Sequence, residues 1–192
     1  MRIAALFVDS RGSYAGLPDV DLWDEKRDAR KYDGPHRVVA HPPCSRWCQL
    51  AGLVQARWGH KVGDDGGCFA SALASVRKWG GVLEHPAFSR AWAAYDLNPP
   101  NPGGGWTFAD YVGGYTCEVE QGKYGHPARK KTWLYCNRLA RLEPLRWGRA
   151  TPTATVSQLR NHGGGNLPRL SKKAASSTPP AFRDALLEMV RR

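Results

Sequence analysis

Long hydrophobic runs are missing from this sequence. No apolar stretch approaches the roughly 18 residues that a membrane-spanning helix needs. The apolar start of MRIAALFVDSRGSYAG lasts only six residues before Asp9 and Arg11, too short for a leader and suited to a first β-strand. Acidic residues are scarce, with 17 Asp and Glu against 28 Lys and Arg. Paired cysteines are missing too: Cys44, Cys48, Cys68, Cys117 and Cys136 are odd in number and irregularly spaced. That pattern argues against a disulfide framework and for a reducing compartment, the cytoplasm. No pair of Cys-x-x-Cys motifs marks a structural zinc site. Internal repeats are absent.

Apolar residues make up 42% of 192 residues, enough for one domain with its own core. A monomer is expected. The net charge of +11 favours a polyanionic partner, with DNA or RNA first. The alternative is a generally basic surface kept for solubility. Four of the eight tryptophans follow a cation, in Arg46-Trp47, Arg57-Trp58, Lys78-Trp79 and Arg146-Trp147. Such pairs stack bases, or they are core. The small size and the Arg and Trp content suit a bacteriophage product acting in a bacterial host's cytoplasm.

Residues 3–8 (IAALFV) and 37–40 (RVVA) read as short buried strands. A polar stretch between them holds a helix candidate at 22–31. Phe69, Leu73, Val76 and Trp79 recur at helical spacing, predicting a helix over 64–80 that Gly80-Gly81 ends. A third strand starts at Gly81–Leu83 and stops at Glu-His-Pro. This order predicts an α/β fold with a mainly parallel sheet flanked by helices. Ala40 and Leu83 should then be neighbours, with HPPC and EHP at strand carboxyl ends, where open α/β sheets place ligands. Two more strands are expected at 115–121 and 132–136, joined by the basic turn GKYGHPARKK. Residues 143–180 read as irregular, and 181–191 as an amphipathic closing helix behind Pro179-Pro180.

Three constellations carry chemistry. In HPPCSRWC, the Pro-Pro turn holds Cys44 rigidly, and Arg46 would favour its thiolate. A thiolate can add to C6 of a cytosine and make C5 nucleophilic. In LEHP, Glu84 could hydrogen-bond the N3 and N4 edge of the same ring. Arg129, Lys130 and Lys131 in the basic turn could grip phosphates or the cytosine edge. The plain alternatives are a buried cysteine beside a turn, an exposed acid and a solvated charged hairpin.

Together these pieces resemble the DNA cytosine-C5 methyltransferase family. That family has a Pro-Cys turn, here Pro43-Cys44, then a Glu-Asn-Val/Pro segment, here Glu84-His85-Pro86. Its Tyr/Phe-Gly-x-Pro-Gln-x-Arg-x-Arg turn is similar to the segment from Tyr124 to Lys131. Its late Arg-x-Leu-Thr and Phe-Pro-Asp-x-Phe pieces are similar to 167–182, with Arg169 and Phe182 at matching places. The order of the pieces is the family's.

The resemblance implies a reduced methyltransferase-like, Rossmann-like fold. It implies transfer of a methyl group to C5 of cytosine in DNA through a covalent Cys44 adduct. Cys44 and Glu84 would be catalytic; Arg46, Arg129, Lys130, Lys131 and Arg169 would bind nucleic acid. The donor would be S-adenosylmethionine, held by Phe7, Asp9, Gly12, Gly16 and Asp24, with Trp23 stacking on its adenine. A short target-recognition region would occupy 134–166. The sequence departs from the family at Ala128 for Gln, Thr132 for Arg and His85 for Asn. Phe7 and Cys44 are only 37 positions apart, where the family fits two further strand–helix units.

Two other readings stay open. His41, Cys44, Cys48, Cys68 and His85 form a possible zinc ligand set, and HPPCSRWC partly matches zinc nucleobase deaminases. Its Cys-x-x-x-Cys spacing is one residue too long for them, and no His-x-Glu precedes it. The other is a catalytically inactive nucleic-acid-binding protein of the same fold, serving anti-restriction or DNA protection.

Overall fold

In the computed structural model, which describes residues 1–142, 144–156 and 166–192, one seven-stranded sheet organises the chain. Its strands are β1 (Ile3–Leu6), β2 (Val20–Trp23), β3 (Arg37–Ala40), β4 (Gly81–Pro86), β5 (Thr107–Phe108), β6 (Tyr115–Glu120) and β7 (Lys131–Asn137). They lie in the order β2-β1-β3-β4-β7-β6-β5. The first four are parallel, and β7, β6 and β5 add on with antiparallel pairings. The sheet is therefore mixed rather than mainly parallel. The short link from β6 to β7 can only make a hairpin, because a parallel return needs a dozen residues or more.

β1 and β3 are buried on both faces, which is why they read as unbroken apolar runs. Ala4, Leu6, Val38 and Ala40 face one core, and Ile3, Ala5 and Val39 the other. Helix α2 (Cys68–Trp79) covers the first core with Phe69, Ala72, Leu73 and Val76. It is shorter than the expected 64–80, because Gly66 and Gly67 hold left-handed backbone before it. Asp65 accepts the Phe69 and Gly67 amides there, at 2.8 and 2.9 Å. The closing helix α5 (Pro180–Arg191) covers the second core with Phe182, Leu186, Leu187, Met189 and Val190.

Gly81 sets the β3–β4 join. Its φ is 137°, and a Cβ there would lie 1.9 Å from the Val38 carbonyl oxygen. Only glycine lets the strand leave α2 and pair at once with β3. The pairing puts Ala40 opposite Leu83, as expected.

Several elements were not legible. The helix expected at 22–31 is instead β2 followed by a single 3-10 turn at Ala29–Lys31. Helices α1 (Ala51–Trp58) and α3 (Arg90–Ala94) carry no clear apolar period and bury only one and two residues. In the stretch read as irregular, Lys172–Ser176 forms the short helix α4. Because β7 continues to Asn137, anything corresponding to the insert expected at 134–166 begins after that strand. Residues 157–165 of that insert lie outside the described residues.

Candidate active site at the strand ends

The chain runs outward from β1 to β2, then returns to the other side of β1 as β3. The carboxyl ends of β1 and β3 thus flank the point where the strand order reverses, where such sheets open a crevice. His41 extends the pairing one residue further, its amide donating to the Leu6 carbonyl at 3.0 Å. Pro42 and Pro43 have no amide hydrogen to continue the ladder, so the chain turns. The Cys44 carbonyl accepts from Trp47 and Cys48 at 3.0 and 2.9 Å and starts the turn toward α1. Trp47 pins that turn: it is buried and donates Nε1–H to Asp65 at 2.8 Å.

Glu84 belongs to β4 itself, which runs on to Pro86. Alternation then sends neighbouring side chains to opposite faces. Leu83 and His85 face the α2 side, and Glu84 faces the other. His85 is wholly buried against Phe69 and Trp92 and shares a 2.7 Å hydrogen bond with the Ser89 hydroxyl. It stands where the family has Asn, yet here it is a core residue. Burial lowers it to about 4 despite the opposing pull of Glu84.

A chain of hydrogen bonds fixes the Glu84 carboxyl. Oε2 meets His41 Nδ1 at 2.9 Å, and Oε1 accepts from Gln121 Nε2 at 3.1 Å. His41 Nε2 meets the Tyr14 hydroxyl at 2.8 Å, and Gln121 also donates to Thr132 Oγ1 at 2.9 Å. Burial alone would raise Glu84. The hydrogen bond and charge of His41, joined by Lys130 and His85, overcome it and bring the carboxyl down to about 2. Glu84 is therefore a charged, fixed acceptor at neutral pH. Sequence reasoning missed Tyr14 and Gln121 and knew His41 only as a possible metal ligand. Their shared signal is tertiary, since 27 positions separate Tyr14 from His41 and 37 separate Glu84 from Gln121.

Cys44 lies within electrostatic reach of Glu84 and Lys130. Burial and then the Glu84 charge push its thiol above the ordinary range, with Cys48 adding to the effect. The opposing cation is Lys130, a neighbour of Cys44 that the sequence did not single out for this role. Lys130 has φ 41°, a left-handed backbone that L residues seldom take. Its Nζ donates to the Ser176 and Ser177 carbonyls at 3.2 and 2.7 Å, just beyond α4. Burial lowers its own pKa, and Glu84 and Cys44 oppose that.

Two other cations of the basic turn are paired inside the protein. Arg129 grips both oxygens of buried Glu120, and Lys131 reaches Glu118 at 2.9 Å. Ala128 is buried, and Thr132 is wholly buried. Arg46 is half-buried, and Arg169 is exposed beside its bridge to Thr155. Of the four tryptophans that follow a cation, Trp58 is the exposed one, with Arg57 over its ring.

The candidate zinc set does not assemble: His85 faces the opposite side of the sheet from Glu84. Among the described residues, no three His, Cys, Asp or Glu side chains converge as a metal site.

No known family, curated protein or solved structure matches this chain.

The residues expected to hold S-adenosylmethionine can be tested on their geometry. Phe7 follows β1 with φ 59° and donates its amide to the Trp23 carbonyl at 2.8 Å. Asp9 accepts the Arg11 and Gly12 amides and closes a tight turn, and Gly16 is left-handed. Asp24 follows β2 and accepts the Arg27 amide at 3.0 Å. The Trp23 ring lies under the Arg27 guanidinium at 3.9 Å, with the Tyr32 ring edge-on to it. The Tyr14 ring is buried where the turn meets His41. Arg27 covers one face of Trp23, so an adenine stacked on that face would require the guanidinium to move aside.

Proposed function

We propose that the protein modifies cytosine in DNA by nucleophilic addition of Cys44 to C6, the opening chemistry of a cytosine-C5 methyltransferase. One observation carries the reading. The Cys44 turn after β3 and the Glu84 carboxylate on β4, fixed by His41 and Gln121, stand on adjacent paired strands, with Lys130 within electrostatic reach of both.

Each group has a role at an extruded cytosine. The Cys44 thiol gives its proton to water and N3 of the ring takes one up from solvent; the thiolate then forms the bond to C6, and the C5–C6 π pair moves to C5. Glu84 accepts a hydrogen bond from the N3–H of the protonated ring, which stabilises the polarised form that takes the thiolate. Lys130 offsets charge on the thiolate before attack and on the ring after it. C5 then takes up a proton from solvent. Loss of the original C5 proton returns the electron pair and expels the thiolate. S-adenosylmethionine remains the donor implied by the resemblance for one-carbon transfer to C5. When bound it would supply the methyl group, with Asp24 and the turn after β1 as the residues implied to hold it.

The test needs no donor. DNA carrying tritium at cytosine C5 should release it to water with the wild-type protein and not with Cys44→Ser. Adding S-adenosylmethionine, with mass spectrometry of the nucleosides, separates transfer from exchange. Wild-type protein that binds DNA yet releases no tritium on any sequence tried overturns the catalytic reading. A non-catalytic DNA-binding protein, used for protection or anti-restriction, would then stand. The raised Cys44 thiol and the closed turn after β1 are the observations in its favour.

A further inference from the structure

His41 is the hub of the site, although the proposed chemistry gives it no task. Both of its ring nitrogens are engaged, Nε2 with Tyr14 and Nδ1 with Glu84. Its side chain and that of Glu84 are only 11% and 12% exposed, so water competes weakly for this bond. Tyr14 is 2% exposed and rises from the turn after β1, while Gln121 closes the other end of the row.

We propose that His41 is the positioning residue of this site: held at Nε2 by the Tyr14 hydroxyl, it binds Glu84 through Nδ1 and keeps that carboxylate charged and fixed for the pyrimidine. The inference rests on the proposed cytosine chemistry for its purpose, but its physical content stands apart from catalysis.

The proton positions follow from the partners. A charged carboxylate can only accept, so Nδ1 carries the hydrogen. Nε2, on the other side of the ring, meets the Tyr14 hydroxyl at 2.8 Å. Burial, and next the Glu84 charge, raise the Tyr14 phenol well above its ordinary value, so it remains a donor. Tyr14 thereby fixes the orientation of the ring that serves Glu84, as outer partners do for working histidines. Gln121 holds the other oxygen, so the carboxylate cannot rotate without breaking a bond on each side.

The charged and titratable groups facing this pair come from every side. Cys44 lies on the turn after β3 and Lys130 before β7, Arg183 and Asp184 of α5 act on Tyr14, and His85 acts on Glu84 from the other face of β4. Among the groups that favour the Glu84 charge, His41 contributes most, followed by Lys130 and His85. Its removal should therefore expose the effect of burial.

The experiment follows the Glu84 carboxyl carbon by NMR in full-length protein with labelled glutamate, assigned with Glu84→Gln. Wild-type Glu84 should remain ionised down to about pH 3. In His41→Leu its midpoint should rise by about 2 pH units or more, the scale expected for an unpaired buried carboxyl. Tyr14→Phe removes one hydroxyl and should raise it by a smaller, measurable amount. If His41→Leu does not fold, Tyr14→Phe carries the test alone. A midpoint unchanged in the folded variants overturns the inference. Tritium exchange across about pH 5 to 8 gives the second readout. His41→Leu should lose rate toward the acid end, where the wild type does not. If the wild type shows no exchange while the NMR midpoints still move, the cytosine reading fails and the positioning role of His41 stands.

Discussion

Acid should weaken this protein first through His85, which takes no part in the proposed chemistry. The imidazole is wholly buried, and burial lowers it from 6.5 to about 4. In the unfolded chain it titrates near its ordinary value, so between those two pH values the unfolded state binds the extra proton. Stability is then full above about pH 6.5 and falls as pH drops toward 4. A shift of that size corresponds to about 3 kcal/mol at 1.36 kcal/mol per pH unit. His126, also lowered by burial, acts in the same direction. Comparison with His85→Phe isolates the His85 part. Phe keeps a ring against Phe69 and Trp92, and Ser89 Oγ still accepts from Ala91 at 3.1 Å. Urea unfolding at about pH 7 and pH 4 should show the wild type losing about 3 kcal/mol more than His85→Phe. Equal losses would refute the reasoning, since they would mean that the buried ring takes up its proton without cost.

Alkylation of Cys44 followed by mass spectrometry should have a midpoint above the ordinary thiol range; Glu84→Gln should lower it and Lys130→Met raise it. A midpoint insensitive to both variants would show that the three groups do not share a cleft. Arg129→Ala should cost on the order of 3 kcal/mol in chemical denaturation, because it strands a buried carboxylate; a loss below about 1 kcal/mol would mean that water replaces the guanidinium. DNA binding should weaken steeply between low and moderate salt, as expected for a chain with a net charge of +11. Because Arg129 and Lys131 are already paired, Arg169→Ala should reduce binding more than Lys131→Ala in a fluorescence anisotropy titration, and the reverse order would relocate the interface.

Periodicity and punctuation made much of the scaffold legible. RVVA and IAALFV are short apolar runs because β1 and β3 are buried on both faces, and that property is written in consecutive residues. The α2 and α5 stripes likewise record which face is covered, and the adjacency of Ala40 and Leu83 follows from a strand–helix–strand order. Local pattern failed where burial is one-sided or slight. Strand β2 has one buried residue in four, and its last two residues fall within the helix expected at 22–31; α1 buries only Ala51.

At the site, the sequence by itself determined which residues could do chemistry: a cysteine held by two prolines, and an acid followed by His-Pro. What Cys44 and Glu84 are surrounded by was decided only by the tertiary structure. The sheet brings Tyr14, His41, Glu84 and Gln121 into one row from four separate stretches of chain. It brings Lys130 within electrostatic reach of Cys44, and it turns Arg129 and Lys131 inward onto Glu120 and Glu118. The reason is physical. Strand and helix periods are set by near neighbours, whereas a hydrogen bond or a charge acts over a few ångströms of space, whatever the distance along the chain.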